Sequence, residues 1–231
     1  MTRRLALLLG FLFLVAATSV LGQSIDASAL SSKLDSYLEP YVKANDFSGV
    51  VLVAPGDRVL GVREYGMADR AHALRNQRST AFRLASLSKT FTAAAIVMLI
   101  ERGTVHLQDP LSHFFPEFPN GDHITVEQLL SHESGVGELD APDLMRECVG
   151  SSELVRRIAK VPPFFAPGTS DRYSNEGYVL LAAIIEHVSG MGYEAFLHMN
   201  IFDPLNMKHG RDVRRVAGCR PCGGLHLRPG H

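Results

Sequence analysis

Arg83-Leu84-Ala85-Ser86-Leu87-Ser88-Lys89-Thr90-Phe91-Thr92-Ala93 leads into an apolar run that ends at Ile100, before Glu101-Arg102-Gly103. The run spans about four helical turns and is apolar on all sides, which predicts a buried helix stopped near Gly103. Ser86 and Lys89 stand at its mouth, three apart and therefore on one face, so the lysine amine can approach the serine hydroxyl. At the edge of a dry core desolvation favours a neutral amine, which is a usable base. The helix N-terminus adds partial positive charge and N–H groups where an oxyanion would develop. Serine is also a common N-cap and a first-turn lysine is usually solvated. The pair alone leaves both readings open.

Working outward, the chain of 231 residues is long enough for one large domain or two small ones, and at 46% apolar and 20% charged it can bury a sizeable core. Its net charge of −1, with both signs mixed, excludes a basic surface for nucleic acid or a polybasic membrane contact. The ten histidines form no H-E-x-x-H or comparable pair, and no metal or cofactor is expected.

Residues 1–22 predict a signal peptide. Arg3-Arg4 form a positive start, Leu5 to Val15 an apolar centre, and Val20-Leu21-Gly22 a small-residue cleavage site before Gln23. The rival, a membrane anchor, needs a longer apolar run. The expectation is export to the periplasm or medium, with membrane contact only through this segment. Cys148, Cys219 and Cys222 imply no disulfide framework.

Residues 25–44 carry Leu30, Leu34, Leu38 and Tyr41 at helical spacing. Ser48–Ala54 and Val59–Tyr65 flank the turn Pro55-Gly56-Asp57 and predict a β-hairpin, followed by a polar loop from Ala68 to Thr80. Thr125 and Gln128 predict a capping box on a short helix ending at Ser131-His132-Glu133-Ser134-Gly135. Residues 141–160 look helical. Gly177–His187 predicts a strongly apolar helix closed by Ser189-Gly190, and Tyr193–Met199 another.

Tyr173-Ser174-Asn175 stands between the last two chain-breaking prolines and that apolar helix. A tyrosine near a serine–lysine pair can relay protons, and an asparagine two residues on can orient the lysine and meet a substrate carbonyl. By itself Tyr-x-Asn equally fits a surface turn leading into a helix.

The three pieces in this order resemble the serine β-lactamase and penicillin-binding protein superfamily. The branch is that of class C β-lactamases, D-alanyl-D-alanine carboxypeptidases and related esterases. The matching stretches are Ser86 to Thr92, Leu129 to Val136, Tyr173 to Tyr178 and Ile201 to Lys208, so the resemblance covers residues 23–209. S-x-x-K followed by an asparagine motif is the signature of this group, here with Tyr173 in place of its first Ser.

The resemblance implies an α+β fold: an α/β sandwich with an antiparallel sheet covered by helices, beside a helical region. It implies Ser86 as acylated nucleophile, Lys89 and Tyr173 as shared base and acid, and Asn175 as the residue that positions Lys89 and binds substrate. Ser86 N–H would form half of an oxyanion hole, and His132-Glu133-Ser134-Gly135 a structural wall. The substrate would be a β-lactam, a D-Ala-D-Ala-type peptide or an ester.

The family's third motif, Lys-Thr-Gly or His-x-Gly on a downstream strand, is not found. Residues 210–231 hold five arginines and five glycines with no apolar period. The expectation is an atypical tail where the chain leaves the family, as a truncated or frameshifted reading frame would, with its C-terminal strands missing. Cys219, Cys222, His226 and His231 are spaced too closely for a zinc finger. The alternative function is a non-catalytic or inactive member that keeps part of the pocket.

Overall fold

A computed structural model of the chain describes residues 26–139, 149–208 and 210. The expected signal peptide, the first half of the 141–160 helix, the tail from 211 onward and all three cysteines lie outside them. The described residues form two compact units, one ending at Thr80 and the other beginning at Ala81.

The first unit opens with helix α1, Ala27–Ala44, capped by the Asp26 carboxylate, which accepts from Ser28 N at 2.8 Å. The hairpin follows as β1, Gly49–Val53, and β2, Gly61–Tyr65, antiparallel with Val51 opposite Arg63. The segment read as a loop instead forms a second, short ladder, β3 at Met67–Asp69 and β4 at Leu74–Arg75. Its sequence has no alternation to announce it. What holds it is polar: the buried Asn76 amide donates to Ser48 Oγ at 2.9 Å and Tyr65 O at 2.7 Å, and Ser48 Oγ donates to Met67 O at 2.8 Å. Gly66 lets the chain turn there. Its φ is +67°, and a Cβ would stand 2.5 Å from Ser48 Oγ.

Helix α1 is tied to β2 through one carboxylate. Arg63 donates to Asp35 through Nε at 3.1 Å and again through Nη2, and Tyr65 OH donates to the same Asp35 Oδ1 at 2.9 Å. Arg63, then Tyr65, hold the Asp35 carboxyl below the usual range.

The second unit is helical. A 3₁₀ turn at Ala85–Leu87 runs into α2, Ser88–Glu101. Then come α3, Leu111–Phe114; α4, Val126–Leu130; α5, Ser151–Ile158; α6, Asn175–Ser189; and α7, Tyr193–Leu197, which passes into a π turn at His198–Phe202. The capping box on α4 is present in both directions: Gln128 N donates to Thr125 Oγ1 and Thr125 N to Gln128 Oε1. Helix α6 ends where Gly190 turns left-handed, as its sequence predicts.

The centre of this unit is α6 rather than the helix behind Ser86. Leu180, Leu181, Ile184 and Ile185 on α6 are fully buried, and α2, α3, α4, α5 and α7 all pack on it. Each such side chain contributes about 1.5–3 kcal/mol when removed from water. Helix α2 buries one stripe only, Thr92, Ala95, Ile96 and Leu99, while Val97 stays 48% exposed. An all-round apolar sequence told only that a face could be buried, and packing on α6 and α7 selected which. Among the described residues, strands confined to the first unit and helices dominating the second make the fold α+β. Among the described residues no single helix is long and apolar enough to cross a membrane.

Candidate active site

All four residues singled out from the sequence lie in the second unit, and the structure brings them together. Ser86 is exposed, in the 3₁₀ turn before α2. The residue before it, Ala85, has φ +47°, a left-handed conformation that costs a non-glycine residue about 1 kcal/mol or more. That kink presents Ser86 ahead of the helix. Lys89 follows one turn later, half-buried on α2.

The other two residues come from the start of α6. Ser174 caps that helix, its Oγ accepting from Gly177 N at 2.9 Å. Tyr173 therefore stands just outside the helix and Asn175 in its first turn. Tyr173 OH donates to Ser86 Oγ at 2.6 Å, and Lys89 Nζ donates to Asn175 Oδ1 at 2.7 Å. The Lys89 ammonium also sits 4.6 Å from the centre of the Tyr173 ring.

Helical spacing places Lys89 within approach of the Ser86 hydroxyl. In the structure Tyr173 is the group hydrogen-bonded to that hydroxyl, while the lysine bonds Asn175. The electrostatics agree: Lys89, and after it the bond with Ser86, hold the Tyr173 phenol below the ordinary tyrosine range. Five residues on, Tyr178 is pushed the other way by burial and then by Tyr173, and its OH donates to Leu130 O at 3.1 Å. The two phenols are thus shifted in opposite directions, Tyr173 toward easier ionisation and Tyr178 away from it.

His132 was read as wall. Its imidazole reaches further: Nδ1 accepts from Ser174 N at 3.1 Å, and the ring lies 4.7 Å from that of Tyr173 and 5.1 Å from that of Tyr178. Its own carbonyl accepts from Arg172 N at 3.0 Å. Nothing in the spacing of Ser131-His132-Glu133 announces this, because the contact spans 42 residues and depends on two loops meeting. Gly135 completes the wall. Its φ is +68°, and a Cβ would collide with Phe165 O. The described residues contain no group of side chains able to hold a metal ion.

The family model for Beta-lactamase matches residues 34–221. The chain is 34% identical over 170 residues to PbpX of Bacillus subtilis (strain 168), which bears a penicillin-binding-protein name, covering 73% of this chain and 42% of that protein. It is 31% identical over 205 residues to Esterase EstB of Burkholderia gladioli, covering 80% and 52%. The crystal structure of the D-amino acid amidase from Ochrobactrum anthropi SV3, complexed with L-phenylalanine amide, superposes with a TM-score of 0.70 at 30% identity. It covers 80% of this chain and 55% of the amidase. The chain thus spans about half the length of the curated relatives it matches, and its mixed fold is that of its β-lactamase- and penicillin-binding-type neighbours. A serine, a lysine, a tyrosine and an asparagine meeting at the mouths of two helices fit that assignment, and the chain belongs to the beta-lactamase family of serine hydrolases.

Proposed function

We propose that this chain is an exported serine hydrolase that forms an acyl-enzyme on Ser86, acting on a β-lactam, a D-amino peptide or amide, or an ester. The observation that carries the reading is the 2.6 Å hydrogen bond from Tyr173 OH to Ser86 Oγ, beside a lysine fixed by Asn175.

The Tyr173 phenol, which donates to Ser86 Oγ at rest, first loses its proton to solvent; Ser86 Oγ then attacks the substrate carbonyl carbon as its own proton passes to the Tyr173 phenolate. Lys89 stabilises that phenolate as a cation over the ring and at hydrogen-bonding range, and Asn175 keeps the lysine in place. The tetrahedral oxyanion is met by the Ser86 N–H. Collapse breaks the carbonyl–nitrogen or carbonyl–oxygen bond, and Tyr173 returns the proton to the leaving group. Water then hydrolyses the ester on Ser86 by the reverse route, with Tyr173 again the base. The relatives bear names for penicillin binding, an esterase and a D-amino acid amidase, and attack on a carbonyl carbon is a chemistry that would serve all three. They support the reaction class more than any one substrate.

The test is covalent. The full chain is treated with a fluorescent penicillin and, separately, a fluorophosphonate, and the adduct is mapped by peptide mass spectrometry. Label on Ser86 that disappears in Ser86→Ala is the expected result; label that persists in Ser86→Ala at the same rate refutes the assignment.

A further inference from the structure

We infer that His132 is a positioning residue for Tyr173, and that its neutral imidazole is what holds the phenol against Ser86. The inference rests on the acyl-enzyme reading above for its consequence in catalysis, but its geometry stands apart from that reading.

The imidazole is fixed at both ends. Its backbone is left-handed, with φ +65°, and anchored because its carbonyl accepts from Arg172 N and Glu133 N donates to Gln128 O at 2.8 Å. Its Nδ1 accepts from Ser174 N, which requires an unprotonated Nδ1 and puts any ring proton on Nε2. The residues held by these two bonds, Arg172 and Ser174, flank Tyr173. The ring then lies against the Tyr173 ring and backs onto Tyr178, whose own OH is tied to Leu130 O. Tyr173 is therefore clamped by its neighbours' backbones on both sides and by a ring on its face. The same Ser174 caps α6, so the clamp also sets the first turn that carries Asn175.

Protonating His132 would undo the arrangement. A proton on Nδ1 would point at Ser174 N–H, replacing an acceptor with a donor. Among the described residues, the one cation facing the ring opposes it as well: Lys89 stands toward it from α2, with the rings of Tyr173 and Tyr178 on either side. The adjacent carboxylate, Glu133, is engaged elsewhere, accepting from Ser131 Oγ at 3.1 Å, and the Arg172 guanidinium lies on Phe164 and pairs with Glu138. Burial first, and the Lys89 charge second, hold the imidazole below the ordinary histidine range. The site thus keeps the clamp neutral to a lower pH than an ordinary histidine would, and protonation below that releases Tyr173.

Two substitutions separate clamp from scaffold. Asparagine tolerates the left-handed backbone, and its Oδ1 can replace Nδ1 as acceptor; glycine keeps the backbone and loses both acceptor and ring. Two readouts are taken on the full chain: the phenol titration of Tyr173, as the near-ultraviolet difference against Tyr173→Phe, and the fluorophosphonate labelling rate of Ser86 across pH.

In His132→Gly the phenol should titrate back toward the ordinary tyrosine range near pH 10, and labelling should fall by on the order of a hundredfold. In His132→Asn the phenol should stay low and labelling stay close to that of the unchanged chain. The unchanged chain should also gain a second proton's dependence below the histidine titration, and His132→Asn should not. A chain that never labels in any variant counts against the acyl-enzyme reading alone, and the phenol titration then decides. A Tyr173 titration unchanged in His132→Gly, or the same acid dependence with and without the imidazole, overturns the role of His132.

Discussion

The two units of this chain are stabilised in opposite ways. From Ala81 onward a closed apolar core surrounds α6, and every fully buried apolar side chain among the described residues belongs to it. Up to Thr80 the only buried residues described are Gly49 and Asn76, while Leu52, Val59 and Leu74 are each more than half exposed. The first unit is held by directional polar links instead: Asp35 with Arg63 and Tyr65, and Asn76 with Ser48 and the strand backbone. The difference teaches where a preorganised site can be built. Sub-ångström placement of Ser86, Lys89, Tyr173 and Asn175 needs side chains that cannot move, and a packed core supplies that where a two-stranded hairpin, marginal by itself, does not.

The largest way to break this contrast is to open the core. Ile184→Ala on α6 should cost the second unit about 2–5 kcal/mol, because the side chain is fully buried and the helices around it can close the gap only partly. Leu52→Ala, a comparable truncation on the exposed face of β1, should stay within about 0.5 kcal/mol. Thermal or denaturant melts of both variants check the pair. Equal losses would mean that the hairpin is packed far better than its exposure indicates.

A second measurement sharpens the contrast without mutation. Amide exchange should be slowest in α6 and the turns packed on it, and fastest in β1 to β4, since local opening follows buried apolar contact. Protection of the hairpin equal to that of α6 would remove the distinction.

Acid should then separate the units by chemistry. His132 has a depressed folded pKa, so between that value and the ordinary histidine value near 6.5 the unfolded chain binds more protons. Its contribution is complete above the ordinary range and is lost as pH falls toward the folded value. Asp35 is also depressed, and its contribution is complete above the ordinary carboxylate value near 3.9 and is lost only below it. Falling pH should therefore loosen the amides around Ser174 before those of α1 and β2, which the Asp35 carboxylate links through the Arg63 and Tyr65 side chains. Exchange measured through the acid range reads the order directly, and the reverse order would contradict both assignments. The smallest effect expected is at Ala85, where glycine should relieve the φ of +47° and leave stability equal or higher by up to about 1 kcal/mol in the same melts.

Much of this could be read before any coordinates. The hairpin followed from two apolar runs around Pro55-Gly56-Asp57, the α4 capping box from Thr125 and Gln128, and the end of α6 from Gly190, because each is decided within a few residues. The four site residues came from motif order rather than from local physics. Three features were not readable, for one reason. The β3–β4 ladder rests on Asn76 reaching Ser48, the dominance of α6 rests on five helices choosing it, and the clamp on Tyr173 rests on His132 reaching Ser174. Each is a long-range contact, and helical spacing sees only near neighbours: it brings Lys89 toward Ser86 but cannot show Tyr173 reaching the same hydroxyl.

How the proton work is divided between Lys89 and Tyr173 is the point on which the account is most exposed. The direct measurement is the rate of Ser86 acylation in Tyr173→Phe against the unchanged chain, with Ser86 confirmed as the labelled residue and folding confirmed by the melt. With Tyr173 as the base, removing its hydroxyl should slow acylation by about a hundred- to ten-thousandfold. A rate that stays within a few-fold of the unchanged chain would mean that the lysine takes the serine proton itself and that the 2.6 Å contact between Tyr173 and Ser86 carries no chemistry.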